Sequence, residues 1–557
     1  MKNHKILFSL CLVLALPSIS FFPCLKNDFI NWDDPQYVTE NKTITELSWR
    51  NIKTIFSSFY MEHYHPLTLL SFALEYRFFK LNPFAYHLTN LILHLLNTLL
   101  VFWLIWMLTG RVWICLGVSL LFGIHPLHVE TVTWISERKD LLYSFFFLGS
   151  LILYLAYLRG GRGRYYVFSL TLFLLSLLSK SMAVTLPFVL FLCDILLPRK
   201  MDRKCLVEKI PFFIMAFIFG MMALFAQRSA GPIGQNPSFS FFENILIMGN
   251  VLASYFSKLI LPTKLSCVYP FIKEIKGLWP YVSLTVVIGF LIAGILLGKY
   301  KREITFGTLF FFITLLPTLP VKIMADRYLY LPSIGIFFIA AEGLYGLYRT
   351  KLESIKIAKP ILVILLIGIL SAFSFLTWER CRVWRDSLSL WSNVLKNYPN
   401  IPIAYNNLGE VYLRRGEYQR AISHYNQALR IHPHYDKVYY FYDNRGTAYL
   451  LRGDYEKAIA DYDQALKMNP TYAIAYHNRG TAYLYQEDFE EAIADFNKAL
   501  EINPRYADTY FNKALAYEKM GHRQEALEAY KGFIENTLPQ YVPYVNYAKK
   551  RINELSR

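Results

Sequence analysis

In the stretch NWDDPQYVTEN (residues 31–41) two adjacent aspartates, Asp33 and Asp34, follow a tryptophan just beyond a hydrophobic run. A carboxylate pair can take up a proton or balance positive charge during a reaction, and Asp ahead of Pro also caps turns. The pair therefore reads either as acid–base equipment or as a surface turn. In FGIHPLHVETVTWISERKDLL (122–142), His125, His128 and Glu130 have metal-ligand chemistry at spacings i, i+3 and i+5. Pro126 breaks the helical phasing that would gather them on one face, which favours structural hydrogen bonding over substrate or metal contact. His87 and His94 lie one helical face apart on an apolar segment, where ionisable groups are costly and often functional; packing against polar neighbours is the expected use. Glu137 and Asp140 supply further carboxylates, and Arg138, Lys139, Lys180 and Arg327 supply cations. The seven cysteines show no CxxC or paired spacing, so neither a disulfide framework nor a zinc site is expected.

The elements that must position these residues belong in lipid. Of 557 residues, 54% are hydrophobic and 17% aromatic, well above a soluble multidomain chain. Apolar runs able to cross a bilayer, at about 20 residues each, lie near 6–24, 87–109, 112–131, 141–158, 164–180, 182–197, 208–227, 279–298, 303–321, 329–348 and 358–378. The first resembles a signal peptide, but no A-x-A site follows, which predicts a retained anchor. Of the net charge of +17, +16 sits before Arg385; from there on, 22 Lys+Arg face 21 Asp+Glu. The basic excess occupies short loops between apolar runs, where it orients membrane helices. A nucleic-acid partner is excluded on that ground, and membrane lipids are expected.

With the N-terminus inside, the basic loops RGGRGR (159–164) and PRKMDRK (198–204) fall inside, as the positive-inside rule requires. The ambiguous stretch is 242–262, which is only moderately apolar and carries Glu243 and Lys258. As a span it would place KYKR (299–302) and YRTKLESIKIAK (348–359) outside; as an interfacial helix it places both inside. The second choice gives eleven spans and an external C-terminus. Loops 25–86, 132–140, 228–278 and 322–328 then share one outer face.

From about residue 385 the chain repeats itself with a period near 34 residues, at 402–433, 439–470, 473–504 and 507–539. Gly409, Tyr412, Ala421, Tyr425, Ala428 and Pro433 recur as Gly446, Tyr449, Ala458, Tyr462, Ala465 and Pro470, and again as Gly480, Tyr483, Ala492, Phe496, Ala499 and Pro504. These segments resemble tetratricopeptide repeats: small residues let paired helices approach, aromatics fill the gap, and proline stops the second helix. The second repeat carries three extra residues in HYDKVYYFYDN (434–444), and the fourth has Ala514 and Phe533 where Gly and Ala are usual, so irregularity is expected there. The expected fold is all-α: a multi-span membrane bundle (1–384) followed by a repeat solenoid (385–557).

Taken in order, NWDDPQYVTEN (31–41), HPLTLLSFALEY (65–76), HLTNLILHLLN (87–97), the 122–142 stretch, LLSKSMAVTLPF (177–188) and DRYLYLPSIG (326–335), followed by the repeats, resemble the GT-C class of polyprenyl-phosphate-sugar glycosyltransferases. The nearest likeness is to the transmembrane and tetratricopeptide-repeat-containing protein O-mannosyltransferases and their prokaryotic relatives. The resemblance implies transfer of a sugar, with mannose the one suggested, from a polyprenyl-phosphate donor to a hydroxyl acceptor, protein Ser/Thr above all. Asp33 or Asp34 would be the base, and nearby carboxylates would stabilise oxocarbenium charge. The leaving lipid phosphate needs cations, with Arg327 first because guanidinium binds phosphate oxygens in pairs, and Arg138, Lys139 and Lys180 behind it. Glu137, Asp140, His65, His94, His125 and His128 complete the candidate substrate contacts. Arg327 could instead pair with Asp326 or anchor to headgroups. No fixed cofactor is implied, since some members of the class use a divalent cation and others do not.

The repeats suit protein or peptide binding, or equally a spacer. Two other readings compete. An O-antigen-ligase-type oligosaccharide transferase would place His and Arg in a large late external loop, whereas the late loop here is short. A non-enzymatic membrane-anchored repeat scaffold has no use for charged residues gathered on one outer face. The compact loops suit a prokaryotic inner membrane, with the active face and the repeats on its non-cytoplasmic side.

Overall fold

The long apolar runs become helices because a segment in lipid must satisfy its backbone polar groups internally. The computed structural model describes residues 2–197, 199, 202–229, 239–270, 277–321, 324–350, 358–431, 438–537 and 542–556. Parts of PRKMDRK, of YRTKLESIKIAK, of the 434–444 insertion and of outer loops 228–278 and 322–328, together with Pro433 and Pro539, lie outside the described residues. Among those described, the fold is all-α, and the only extended pairing is an isolated bridge between Tyr60 and His63.

Two units separate at Tyr398/Pro399. The first contains α1 (Lys2–Phe21), α2 (Trp49–Ser57), α3 (Pro66–Phe79), α4 (Pro83–Thr109), α5 (Val112–Ile124), α6 (Val129–Thr133), α7 (Arg138–Gly160), α8 (Gly163–Ser179) and α9 (Leu186–Leu196). It continues with α10 (Arg203–Val207), α11 (Ile210–Ser229), α12 (Phe241–Ile260), α13 (Trp279–Leu297), α14 (Arg302–Leu315), α15 (Ser333–Thr350), α16 (Ala358–Val383) and α17 (Ser387–Asn397). The unit boundary falls later than the composition boundary at 384/385, because α17 belongs with the membrane helices.

Seven described segments are long and apolar enough to cross a bilayer, or eight if the bent pair α5 and α6 counts as one span; the expected eleven are not reproduced. The differences have local causes. The run 112–131 breaks at His125–Pro126 and bends by 49°. Pro126 has no N–H to give, the Ile124 carbonyl accepts from Thr377 Oγ1 at 2.7 Å, and His125 Nδ1 accepts the Leu127 N–H at 3.3 Å. The runs 164–180 and 182–197 become shorter apolar helices, joined by a 3₁₀ turn at Ser181–Thr185 beside Lys180. Where α14 crosses α15, Gly307 and Gly335 meet backbone to backbone, and a Cβ on either would strike the other's carbonyl oxygen.

The second unit pairs α18 (Pro402–Arg414) with α19 (Tyr418–Ile431), α20 (Val438–Arg452) with α21 (Tyr455–Met468), α22 (Ala473–Gln486) with α23 (Phe489–Ile502) and α24 (Ala507–Lys519) with α25 (Arg523–Asn536), and ends in α26 (Val542–Leu555). Gly409, Gly446 and Gly480 lie under the rings of Tyr425, Tyr462 and Phe496, where a Cβ would collide. In the fourth pair Ala514 fills that position, buried with Tyr530 and Phe533. Side-chain amides bridge successive pairs: Asn444 donates to Asn406 at 2.9 Å, Asn478 to Asp443 at 3.0 Å and Asn512 to Thr481 at 3.0 Å.

Candidate active site

The two aspartates that the sequence treats alike have different surroundings. Asp34 is fully buried. Its Oδ2 accepts the Ile30 N–H at 2.9 Å, and its Oδ1 accepts both the N–H and the hydroxyl of Ser136 at 3.0 and 2.5 Å. It therefore stitches loop 30–34 to the N-terminal approach of α7. Burial lifts its pKa to about 6 against the pull of these hydrogen bonds. Asp33 is only part-buried, and its carboxylate has no hydrogen-bond partner among the described residues. Desolvation raises its pKa; the nearby positive charges of Lys139 and Arg327 oppose that shift and Glu137 adds to it.

Glu137 is the hub of the charges beside Asp33. Lys139 Nζ lies 3.1 Å from its Oε1, Arg327 Nε 3.4 Å from the same oxygen and Lys180 Nζ 3.8 Å from Oε2. Lys180 also donates to both oxygens of Asp140, at 2.7 and 2.8 Å. Arg327 reaches further, to Glu130 Oε1 at 2.5 Å, and its guanidinium lies over the rings of Trp134 and Tyr328 at 5.4 and 5.0 Å. Arg327 thus pairs with Glu130 and Glu137 and not with the adjacent Asp326, which accepts from Tyr269 Oη at 2.6 Å. With 17% of its side chain exposed, Arg327 is the most accessible cation of the cluster. Lys139 also lies 4.8 Å from the Tyr37 ring centroid, and Tyr37 Oη bonds His65 Nε2 at 3.2 Å. His65 therefore stands behind Tyr37, one layer from the charges.

Four expected contacts lie away from this cluster, engaged within the protein. Arg138 is fully buried; it pairs with Glu75, donates from Nε to Asn90 Oδ1 at 2.8 Å and from Nη2 to the Tyr86 carbonyl at 2.9 Å. One residue before Lys139, it lies about 100° around the first turn of α7 from it. His94 is held between Tyr330 Oη at 2.8 Å and the Gly123 carbonyl at 3.0 Å. His125 uses Leu259 O and Leu127 N, at 3.0 and 3.3 Å. His128 uses Phe122 O and Ser333 Oγ, at 2.7 and 3.1 Å. These histidines hold the broken α5–α6 segment against α4, α12 and α15. No group of three or more His, Cys, Asp or Glu among the described residues could hold a metal ion.

Other site residues were not singled out from the sequence. Trp32 stacks on Trp134 with centroids 4.6 Å apart, walling the cluster beside Asp33. Tyr37 and Tyr328 surround the cations, as does Glu130, which the sequence offered only as a ligand partner of His125 and His128. His63 lies at the rim, 5.0 Å from the His65 ring; enclosure by its loop and then the charges of Lys139 and Lys180 hold it below its ordinary pKa. The signal available was density of polar and aromatic residues in loops flanking apolar runs, which says where a site lies without ranking its members.

Comparison with known proteins places the two units. Tetratricopeptide-repeat models match residues 402–435, 473–506 and 496–528, and a TPR-repeat model matches 446–487. The chain is 25% identical to a protein O-mannosyl-transferase of Caenorhabditis elegans over 453 residues, covering 77% of this chain and 63% of that protein. It is 23% identical to the protein O-mannosyl-transferase TMTC3 of Homo sapiens over 479 residues, covering 76% and 51%. Over 150 residues, 25% of this chain and 18% of the relative, it is 35% identical to the protein O-mannosyl-transferase tmtc2 of Xenopus laevis. Among solved structures, the crystal structure of MamA matches at 27% identity and a TM-score of 0.25, covering 27% of this chain and 86% of that one. The chain is thus similar to TMTC-type protein O-mannosyl-transferases over about three quarters of its length and carries C-terminal tetratricopeptide repeats. It spans between half and just under two thirds of the first two relatives' length.

Proposed function

We propose that this is an integral membrane glycosyltransferase of GT-C type that moves mannose from a polyprenyl-phosphate donor to a protein Ser/Thr hydroxyl. The observation that carries the reading is one carboxylate without a hydrogen-bond partner among the described residues, Asp33, beside Lys139 and Arg327, which Glu137 ties to a third cation, Lys180. The acceptor oxygen attacks the anomeric carbon as Asp33 takes its proton, the bond from that carbon to the phosphate oxygen breaks, and the lipid phosphate leaves with the bonding electrons. One displacement inverts the anomeric configuration. Arg327 takes the phosphate, with Lys139 and Lys180 supporting it through charge. Glu137, Asp140 and Glu130 keep those cations in place; their carboxylates also favour a centre that becomes positive. The repeats bind acceptor or partner proteins.

The proposed topology keeps the site and the repeats on the non-cytoplasmic side. The two flanks of α12 contact different elements. Phe242 packs on Tyr281 at the start of α13. Beyond the other end, Lys264 and Leu265 accept hydrogen bonds from Tyr398 and Asn397, at 3.2 and 3.3 Å. What supports an interfacial α12 is that it is not among the described segments long and apolar enough to cross a bilayer.

Purified membranes holding the protein, given polyprenyl-phosphate mannose labelled in the sugar and a Ser/Thr peptide, should yield labelled peptide. Label left entirely on the lipid would retire the reading. The oligosaccharide-ligase alternative expects transfer only from a lipid-linked oligosaccharide, and the scaffold alternative expects none from any donor.

A further inference from the structure

Among the described residues the Asp33 carboxylate has no hydrogen-bond partner and only the Asp33 carbonyl is bonded, by the Tyr37 N–H at 2.9 Å, so the position of the carboxylate depends on the loop, and that loop is held from far along the chain. Asn27 Nδ2 donates to the Cys381 carbonyl at 3.1 Å, and the Asp28 N–H to the Arg385 carbonyl at 2.8 Å. The Asn31 N–H donates to Ser387 Oγ at 2.9 Å, and the Trp391 indole N–H to Asn31 Oδ1 at 2.8 Å. The Trp391 ring also lies 5.2 Å from Trp32. Seven residues on, Tyr398 packs 5.7 Å from Tyr269, the residue that donates to Asp326 beside Arg327. One segment, 381–398, therefore supports both the proposed base and the turn that carries the proposed phosphate ligand.

Bulk packing alone does not account for this arrangement. Trp384 is as buried as Trp391 and packs on Trp134 at 5.8 Å, yet its indole N–H has no partner among the described residues. Trp391 instead aims its N–H at the residue two positions before Asp33. We infer that Trp391, through Asn31, is a positioning residue for Asp33, and that the residues of segment 381–398 that bond loop 27–31, namely Cys381, Arg385, Ser387 and Trp391, do more than join the repeats to the membrane helices. The activity part of this inference rests on the proposed glycosyl transfer; the tethering part does not. A displacement of about 1 Å in a reacting group can cost on the order of a hundredfold in rate, so a single hydrogen bond to the loop is enough to matter.

The test uses the full chain in detergent or liposomes, with Trp391→Phe, Asn31→Leu, their double variant and Trp384→Phe. Two quantities are read: backbone hydrogen exchange of the peptide covering 27–34, against 402–431 as internal reference, and kcat and KM for mannosyl transfer to a small Ser/Thr peptide. Trp391→Phe should speed exchange in 27–34 at least fivefold without touching the reference. It should lower kcat about tenfold or more while leaving KM for the donor within twofold. Asn31→Leu should do the same or more, and the double variant should be no worse than Asn31→Leu alone, because each single change already removes the Trp391–Asn31 bond; Trp384→Phe should leave exchange in 27–34 unchanged. Unchanged exchange in Trp391→Phe, additive effects in the double variant, or equally fast exchange in Trp384→Phe would each overturn the inference. If the unaltered chain transfers no sugar, the functional reading fails, and exchange alone then decides the tether. If Trp391→Phe does not fold, Asn31→Leu decides by the same two readouts.

Discussion

Asp33 and Asp34 are adjacent and chemically identical, and only their environments separate them. Reading both as exposed carboxylates predicts that Asn at either position removes transfer and spares the fold; the structure corrects this for Asp34, which accepts three hydrogen bonds in full burial. Asp34→Asn should lower stability, since an amide cannot accept at every oxygen it replaces and an unsatisfied buried group costs about 1–3 kcal/mol; a fall in the thermal midpoint checks this. Asp33→Asn should leave that midpoint in place. The pH profile follows from the raised pKa of Asp33. A base must be deprotonated to act, so activity rises with pH through that pKa, and the acid limb of kcat/KM should lie above the ordinary aspartate value of about 3.9. Lys139 lowers the Asp33 pKa, so Lys139→Gln should move the limb to higher pH; a limb that stays put would remove Asp33 as its source. Sequence could nominate the pair but not divide it, because the division is made by Ser136, a residue 102 positions away. Arg138 and Arg327 give the same lesson. Arg138→Gln should destabilise by about 3–5 kcal/mol by stranding buried Glu75; Arg327→Gln strands buried Glu130 in the same way and should lower the thermal midpoint too, and in addition weaken donor binding, read as KM at equal folded protein.

At the scale of elements, hydrophobic runs reveal that helices exist but not where they break. The break at His125–Pro126 was visible in the proline; that the following turn would carry Glu130 to Arg327 was not. The histidines there had the right chemistry for a ligand set, yet each closes hydrogen bonds to carbonyls or hydroxyls of neighbouring helices. Likewise α17 has the composition of the soluble part and packs with the membrane unit, because its Trp391 and Asn397 find partners in Asn31 and Leu265. For α12 a direct check exists. Cysteines placed at Ser240 and Lys264, in a background lacking the exposed Cys11, should both react with a membrane-impermeant thiol reagent added from the same side. Reaction from opposite sides would make α12 a span and separate the repeats from the proposed active face.

For the whole molecule, the repeats were the most legible part, since each helix pair repeats the same small-residue and aromatic contacts locally, as Gly409 under Tyr425 and Gly446 under Tyr462 show. The site was the least legible, since it is assembled from loops near residues 33, 137, 180 and 327 that only folding brings together. If the repeats bind the acceptor, as proposed, their covalent connection after Tyr398 would raise its effective concentration at the proposed site. Removing residues 399–557 should therefore spare transfer to a short peptide and weaken transfer to a folded protein acceptor; equal transfer to both would reassign the repeats to another partner. The central claim is that Asp33 is the base of a glycosyl transfer. It is met most directly by single-turnover transfer of labelled mannose from polyprenyl phosphate to a Ser/Thr peptide, comparing the unaltered chain with Asp33→Asn at equal folded protein and saturating donor. The account predicts a loss of about 100- to 10,000-fold in the rate of the chemical step with donor binding retained; an Asp33→Asn enzyme that transfers mannose at the unaltered rate would contradict it.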